Sequence, residues 1–450
     1  MNEQMELISM ALPEDVKKAK CCGDFERAER IINIRLNDKR TAACMKKRLK
    51  LELEVLKRLP AYYPYTEAEA LLMVQKEIPD VTAEELRSWI DSDRADWIYI
   101  HGQIHLQDRF FDSMKKVYPE IAERANEPIG PRTLLDDNVK YMQEHGSSTW
   151  HVHMKASLQL KYSAFESGKK LLVHLPVPAE CANMKNIHIL STSPECTHIA
   201  AEDSLCRTVS FEEETASVHP YTVEYEYDSC VSYVNPDPSQ AEPLDQPFDT
   251  EEHAPAIVFT PFIKTLLKEL QGSETNPLII ARRIYDYCTT QVTYAFMREY
   301  MTIEGIPDYC GTSLKGDCGV QALLFITLCR CAGIPAHWQS GLYVTPESAG
   351  CHDWAMFFVL PWGWMFADPS FGGSAYRMGS TERWNYYFGN LDPFRMAANN
   401  EVQLELDPPK KQYRNDPYDN QRGEAEYEDR ALLTEDFETE QTVLEMKQIG

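Results

Sequence analysis

Positive charge is scarce in this sequence. Its 450 residues carry 45 Lys and Arg against 70 Asp and Glu, a formal charge of −25 at neutral pH. Phosphate backbones and anionic membrane surfaces are held by fields of Lys and Arg, so nucleic acid and membranes are excluded as main partners. Long apolar runs are also missing. The longest, Ala355 to Ala367, is broken by Pro361 and Gly363 and is shorter than the roughly 20 residues of a spanning helix. Met1 to Met10 includes Glu3 and Glu6 and lacks the basic start and apolar centre of a secretory signal. The 13 cysteines are odd in number and scattered through a chain too long to need stapling. Together these point to reduced thiols in the cytoplasm. No Cys, His and carboxylate set has diagnostic metal spacing, and no Asp-rich calcium loop is present, so neither metal nor cofactor is expected.

With 43% hydrophobic residues and 8 Trp, the chain is long enough for two or three domains. Residues 1–127 read as a helical module. Thr66 to Glu77 and Thr82 to Asp91 are two helices with Thr caps, and Trp97 to Leu106 is a hairpin. Two helices and a hairpin could form a winged helix, but Glu84, Glu85, Asp91 and Asp93 against a single Arg87 oppose DNA binding, leaving protein contacts as the module's role. His101 and His105 read as hairpin side chains.

Residues 149–234 alternate with period two in Trp150 to Leu160, Lys170 to Val177, Asn186 to Leu190, Thr208 to Glu212 and Tyr221 to Tyr227, which predicts a β-sandwich. His151 and His153 share one face of its first strand and are read as structural. A Pro- and Asp-rich linker spans 235–255. Residues 256–400 mix helical and strand patterns as an α+β unit. Residues 401–450 hold 14 acidic against 6 basic residues and read as an acidic extension, wrapped or poorly ordered, with a solvated surface as the default.

The chemistry concentrates in the α+β unit. In Gly316-Asp317-Cys318-Gly319-Val320, Asp317 is an N-cap, Cys318 lies in the first helical turn, and Val320, Leu323, Leu324, Leu328 and Cys331 form a stripe ended by Gly333 and Pro335. Unbonded N–H groups and the positive helix end favour a thiolate there and could donate to an oxyanion. His352 begins an apolar strand and Asp368 ends the next, joined by the turn Pro361-Trp362-Gly363. Their separation of 16 is even, so both point to one side of a hairpin, although a turn centred on Trp362 would set Asp368 opposite Met356. A nucleophile, base and orienter are thus arranged in order. Cys329 and Cys331 read as packed thiols.

These stretches, from Gly316-Asp317-Cys318-Gly319 through Cys331-Ala332-Gly333-Ile334-Pro335-Ala336, then Cys351-His352-Asp353-Trp354 and Trp364-Met365-Phe366-Ala367-Asp368-Pro369-Ser370, resemble the transglutaminase-like superfamily core over about Pro277 to Gly373. The resemblance implies a papain-like α+β fold, with Cys318 as nucleophile, His352 as acid and base, and Asp368 as orienter. It also implies Tyr294 or Gln291 as oxyanion support. The family often carries a glutamate soon after His-x-Trp, where this chain has Met356. Trp338, Trp354 and Trp362, with Tyr343 and Trp364, are candidates for an aromatic groove. A multidomain α+β enzyme is expected, acting on peptide or protein amides through a Cys318 thioester. Hydrolysis makes it a peptidase or amidase, and amine transfer a transglutaminase. A non-catalytic scaffold and a glycan amidase are the alternatives.

Overall fold

A computed structural model describes residues 3–450. Helices Glu14–Cys21, Phe25–Asn37 and Ala43–Arg58 pack as a first cluster around Val16, Ile32, Leu49 and Tyr63, while Leu7 of helix Glu3–Ile8 packs with Leu51, Val55 and Met301. A second cluster follows. Helix Glu67–Gln75 opens on a reciprocal cap between Thr66 and Glu69, and helix Ala83–Asp91 opens on Thr82 accepting from the Glu85 amide. Strands Trp97–Ile100 and Gln103–Leu106 form the expected hairpin, with Tyr65–Thr66 added to it. Helices Phe110–Val117 and Pro119–Arg124 close this cluster, and Thr133–His145 leads into the sandwich.

The sandwich has two antiparallel sheets, and the C-terminal segment belongs to both. Strand Phe437–Gln448 pairs along Ser147–Leu160, which pairs in turn with Pro220–Ser232 and through it with Met184–Ser193. Strand Glu424–Tyr427 pairs with Lys170–Pro176 in the opposing sheet. The expectation of an acidic extension with a solvated surface is therefore corrected. Phe437, Ala425, Tyr427 and Leu432 enter the apolar core, and buried Glu424 is neutralised by Lys410 and Arg414 at 2.8 and 2.9 Å. Overall charge hid that Glu424–Tyr427 is buried throughout and that Phe437–Gln448 pairs along a long strand.

In the α+β unit a five-stranded sheet runs in the order Phe388–Gly389, Gly363–Ala367, Ser348–Val359, Ala336–Thr345, Arg395–Asn399. Its two faces have different neighbours. Ala355, Phe357 and Val359 pack with helix Cys318–Cys331, whereas Leu342, Trp354 and Met396 join the sandwich core. Helix Cys318–Cys331 is buried on every side except at Cys331, so the apolar stripe is only one of its contact faces. The linker is ordered too: Glu242 bridges to Leu360, and Phe248 packs edge-on against Phe358 and Trp364.

Candidate active site

Asp317 caps helix Cys318–Cys331, accepting from the Val320 amide at 3.1 Å and from the Tyr300 hydroxyl at 2.6 Å. Cys318 therefore stands in the first turn, 9% exposed. Gly319 is fixed by close approach, because a Cβ there would lie 2.2 Å from the Tyr300 hydroxyl and 2.8 Å from an Asp353 carboxylate oxygen. Its missing side chain serves packing rather than access to the thiol.

His352 Nε2 meets Asp368 Oδ2 at 2.7 Å. The hairpin pairs Val359 with Gly363 and Ala355 with Ala367, centring the turn on Pro361 and setting Asp368 one step beyond the strand, diagonal to His352 on the same face. No bulge is needed. Asp368 also caps helix Pro369–Arg377 through the Phe371 amide at 2.9 Å and accepts from Arg395 at 2.8 Å, while Arg395 is held by Asp392. Burial alone would raise the Asp368 carboxyl, but the His352 ring and Arg395 outweigh it and hold it at about 2. Burial lowers His352 against the pull of Asp368, leaving a neutral imidazole whose Nδ1 has no hydrogen bond to a described residue.

Cys318 does not make the expected contact. Its thiol donates to Asp353 Oδ2 at 3.1 Å, and no hydrogen bond joins it to His352 among the described residues. Strand alternation explains this. His352 pairs with Gly341 and Asp353 with Ser340, so the two adjacent side chains leave opposite faces, and Asp353 takes the face toward the helix. Burial pushes the Cys318 thiol well above its ordinary value, with Asp353 and Asp317 adding to it, opposite to the lowering expected from the helix end alone. Asp353 is itself raised by burial and by Asp419 and Asp317. The segment after Tyr413 covers this corner. Gln421 donates to Asp353 and to the His352 carbonyl, and Arg422 donates to Cys351 Sγ at 3.2 Å.

Two cavities flank the site. One of about 490 Å³ is lined by His352, Tyr294, Lys116, Tyr343 and Phe371. The other, of about 290 Å³, is lined by Cys318, Asp353, Tyr294, Asp419 and Gln421. Tyr294 lines both, with no hydrogen-bond partner for its hydroxyl among the described residues. Gln291 instead contacts Thr290 and lines neither cavity. Trp338 and Trp354 are 0% exposed, and Trp362 packs against the core at the hairpin tip, so these three form no groove wall. Their strand spacing reflects core packing. His151 and His153 pair with Asp228 and Glu224, and no metal-holding cluster occurs among the described residues.

Sequence reasoning missed Lys116, Asp353, Arg395 and Gln421. Asp353 sat inside the His-x-Trp motif, where an ionisable residue at the middle position was a usable signal. Nothing local marked the others, which reach the site from elements 27 to 178 residues from their partners.

Residues 264–369 match the model of the transglutaminase-like superfamily. The chain thus carries a transglutaminase-like core. Among solved structures it resembles a candidate cysteine protease from Cytophaga hutchinsonii, at 13% identity and TM-score 0.41, covering 66% of this chain and 91% of that one. It also resembles the periplasmic domain of TgpA from Pseudomonas aeruginosa, at 13% identity and TM-score 0.25, covering 55% and 95%. No curated protein matches the sequence. No helix among the described residues is long and apolar enough to cross a membrane.

Proposed function

We propose that this chain is a thiol-dependent amidase or acyltransferase acting on peptides or proteins through a thioester at Cys318. The observation that carries the reading is the 2.7 Å His352–Asp368 contact, buried on one face of the sheet whose other face packs against the helix that opens with Cys318. Ionised Asp368 fixes Nε2 as the protonated nitrogen and leaves Nδ1 to accept the thiol proton. The thiolate then attacks the amide carbonyl, with the Tyr294 hydroxyl and first-turn amides as donors to the oxyanion. The C–N bond breaks as His352 returns its proton to the departing amine. Water or a second amine, activated at the same nitrogen, releases the acyl group.

The resting arrangement must first change, because the thiol is engaged with Asp353. That same contact favours a second reading, a scaffold whose cysteine is structural. Iodoacetamide labelling across pH with peptide mapping separates them. Faster alkylation of Cys318 than of the other cysteines, slowed in His352→Ala, supports the enzyme. Labelling of Cys318 no faster than that of Cys288 or Cys329, both fully buried, supports the scaffold.

A further inference from the structure

The cavity beside His352 is bounded by two parts of the chain. One wall comes from the helical module and the segment after it, with Lys116, Pro128, Ile129 and Leu135, and the other from the α+β unit, with Tyr343 and Phe371. Its cations stand out in so acidic a protein. Lys116, Arg132 and Arg377 all line it, and none has a carboxylate within 4.0 Å among the described residues, whereas Arg383 on the same wall is neutralised by Asp136 at 2.6 Å. Lys116 Nζ lies 3.9 Å over the Tyr294 ring, and the Arg377 guanidinium reaches only the Val292 carbonyl at 3.5 Å. Glu123 is the single acidic side chain in the lining. Lys116 is exposed toward the cavity, and partial desolvation with the nearby Arg132 and Arg109 guanidinium groups lowers its ammonium against the opposing pull of Cys318 and Asp317.

Like charges gathered in a concave site repel one another unless an anion joins them. The chain has 70 acidic side chains, yet it leaves this group unpaired beside its candidate base. The remaining lining is largely apolar, and about 490 Å³ suits a short peptide segment. We infer that this cavity is a subsite for a carboxylate-bearing peptide substrate, held by Lys116, Arg132 and Arg377 on the His352 side of the reacting centre. Two sources supply that chemistry, an acidic side chain or a free C-terminus. Guanidinium groups suit either, since their paired donors match the two oxygens of a carboxylate. The inference deepens the reading of Cys318 and His352 as a reacting pair, but its test does not depend on turnover.

Calorimetric titration of the Cys318→Ala protein with three N-acetylated tripeptides decides it: one C-amidated and ending in glutamate, its glutamine counterpart, and one neutral in side chains with a free C-terminal carboxylate. One or both carboxylate peptides are expected to bind at least tenfold more tightly than the glutamine peptide, and which one does identifies the source. The triple variant Lys116→Gln, Arg132→Gln, Arg377→Gln is expected to erase that preference while melting like its parent. Arg132→Gln alone, at a position exposed like Lys116 and Arg377, should reduce the preference about threefold. Equal binding of the three peptides, no measurable binding, or a preference that survives the triple variant overturns the subsite. Lost preference with an intact, reactive Cys318 in the native chain refutes the subsite alone. An inert Cys318 with the preference intact refutes the enzyme and leaves a carboxylate-peptide binder.

Discussion

Cys318 and Asp353 are bonded across 3.1 Å, while His352, the residue before Asp353, turns from the opposite strand face to Asp368. One strand therefore carries both the imidazole that meets Asp368 and the carboxylate that accepts from the thiol. The thiol is kept from ionising by the corner in which it sits, where burial, Asp353 and Asp317 act together. Asp353→Ala removes the acceptor and a source of negative potential. The thiol value should then fall, and labelling of Cys318 at pH 7 should rise severalfold, since thiolate fraction sets the rate. Gln421→Ala, which removes only the cover, should raise it in the same direction by less. Unchanged rates in both variants would show that Asp353 and Gln421 do not mask the thiol.

The buried chain His352, Asp368, Arg395, Asp392 makes a second, separable expectation. Asp368→Asn keeps the shape but loses the charge that fixes the imidazole, and should reduce amidase turnover by about 10³ to 10⁴ where such activity is found. Arg395→Met leaves two buried carboxylates without their cation. It should cost about 3 to 5 kcal/mol of folding stability, as breaking a buried ion pair does. Denaturant melts of the two variants check the distinction: an Arg395 variant as stable as the parent would mean that Asp368 and Asp392 are neutral without it.

Carboxyls at this site respond to pH in two directions. Asp368 and Glu424, each held at about 2 despite burial, contribute stability that is full above the unfolded carboxyl value of about 4. That part is lost as pH falls from about 4 to about 2. Asp353, Asp416 and Asp419 are raised, all by burial first; Asp419 also raises the other two, with Asp317 and Glu424 on the same side, while Arg414, Ser340 and the hydrogen bonds with Asp353 and Asp416 pull Asp419 down and Gln421 faces Asp353. Their folded values lie above the unfolded one, so they favour folding less as pH climbs through the raised values. Hydrogen exchange in residues 415–423, corrected for its intrinsic pH dependence, should therefore accelerate, relative to the strand Ser147–Leu160, as pH rises from about 4, the unfolded carboxyl value, into the alkaline range. Equal protection at both ends of that range would show that these aspartates do not loosen the cover.

Much of the architecture was readable because it rests on local rules. Caps at Thr66, Thr82 and Asp317, the stop at Gly333, and the even spacing of His352 and Asp368 all depend on neighbours within a turn or a hairpin. The placement of Cys318 against Asp353 was not readable, because it depends on which strand face the helix covers, a choice made by packing between distant segments. Lys116 escaped for the same reason: it reaches the cavity from a helix that ends 177 residues before Tyr294. Trp338 and Trp354 looked like groove residues because alternation marks a buried face and an occupied face alike.

The acidic C-terminal segment supplies the last expectation. A solvated extension could be removed without effect, but strand Phe437–Gln448 covers the edge of Ser147–Leu160 over nearly its whole length. Ending the chain at Leu433 would leave a long row of unpaired N–H and C=O groups and uncover Leu158 and Leu160 beside the lost Phe437. The shortened protein should melt at least 10 °C lower and aggregate at micromolar concentration, with Lys410, Arg414 and Glu424 no longer anchored by the strands that follow them. Size-exclusion chromatography and a melt of the two chains at matched concentration check this. A monomeric shortened protein with the parent's melting temperature would mean that the sheet closes without its C-terminal strand.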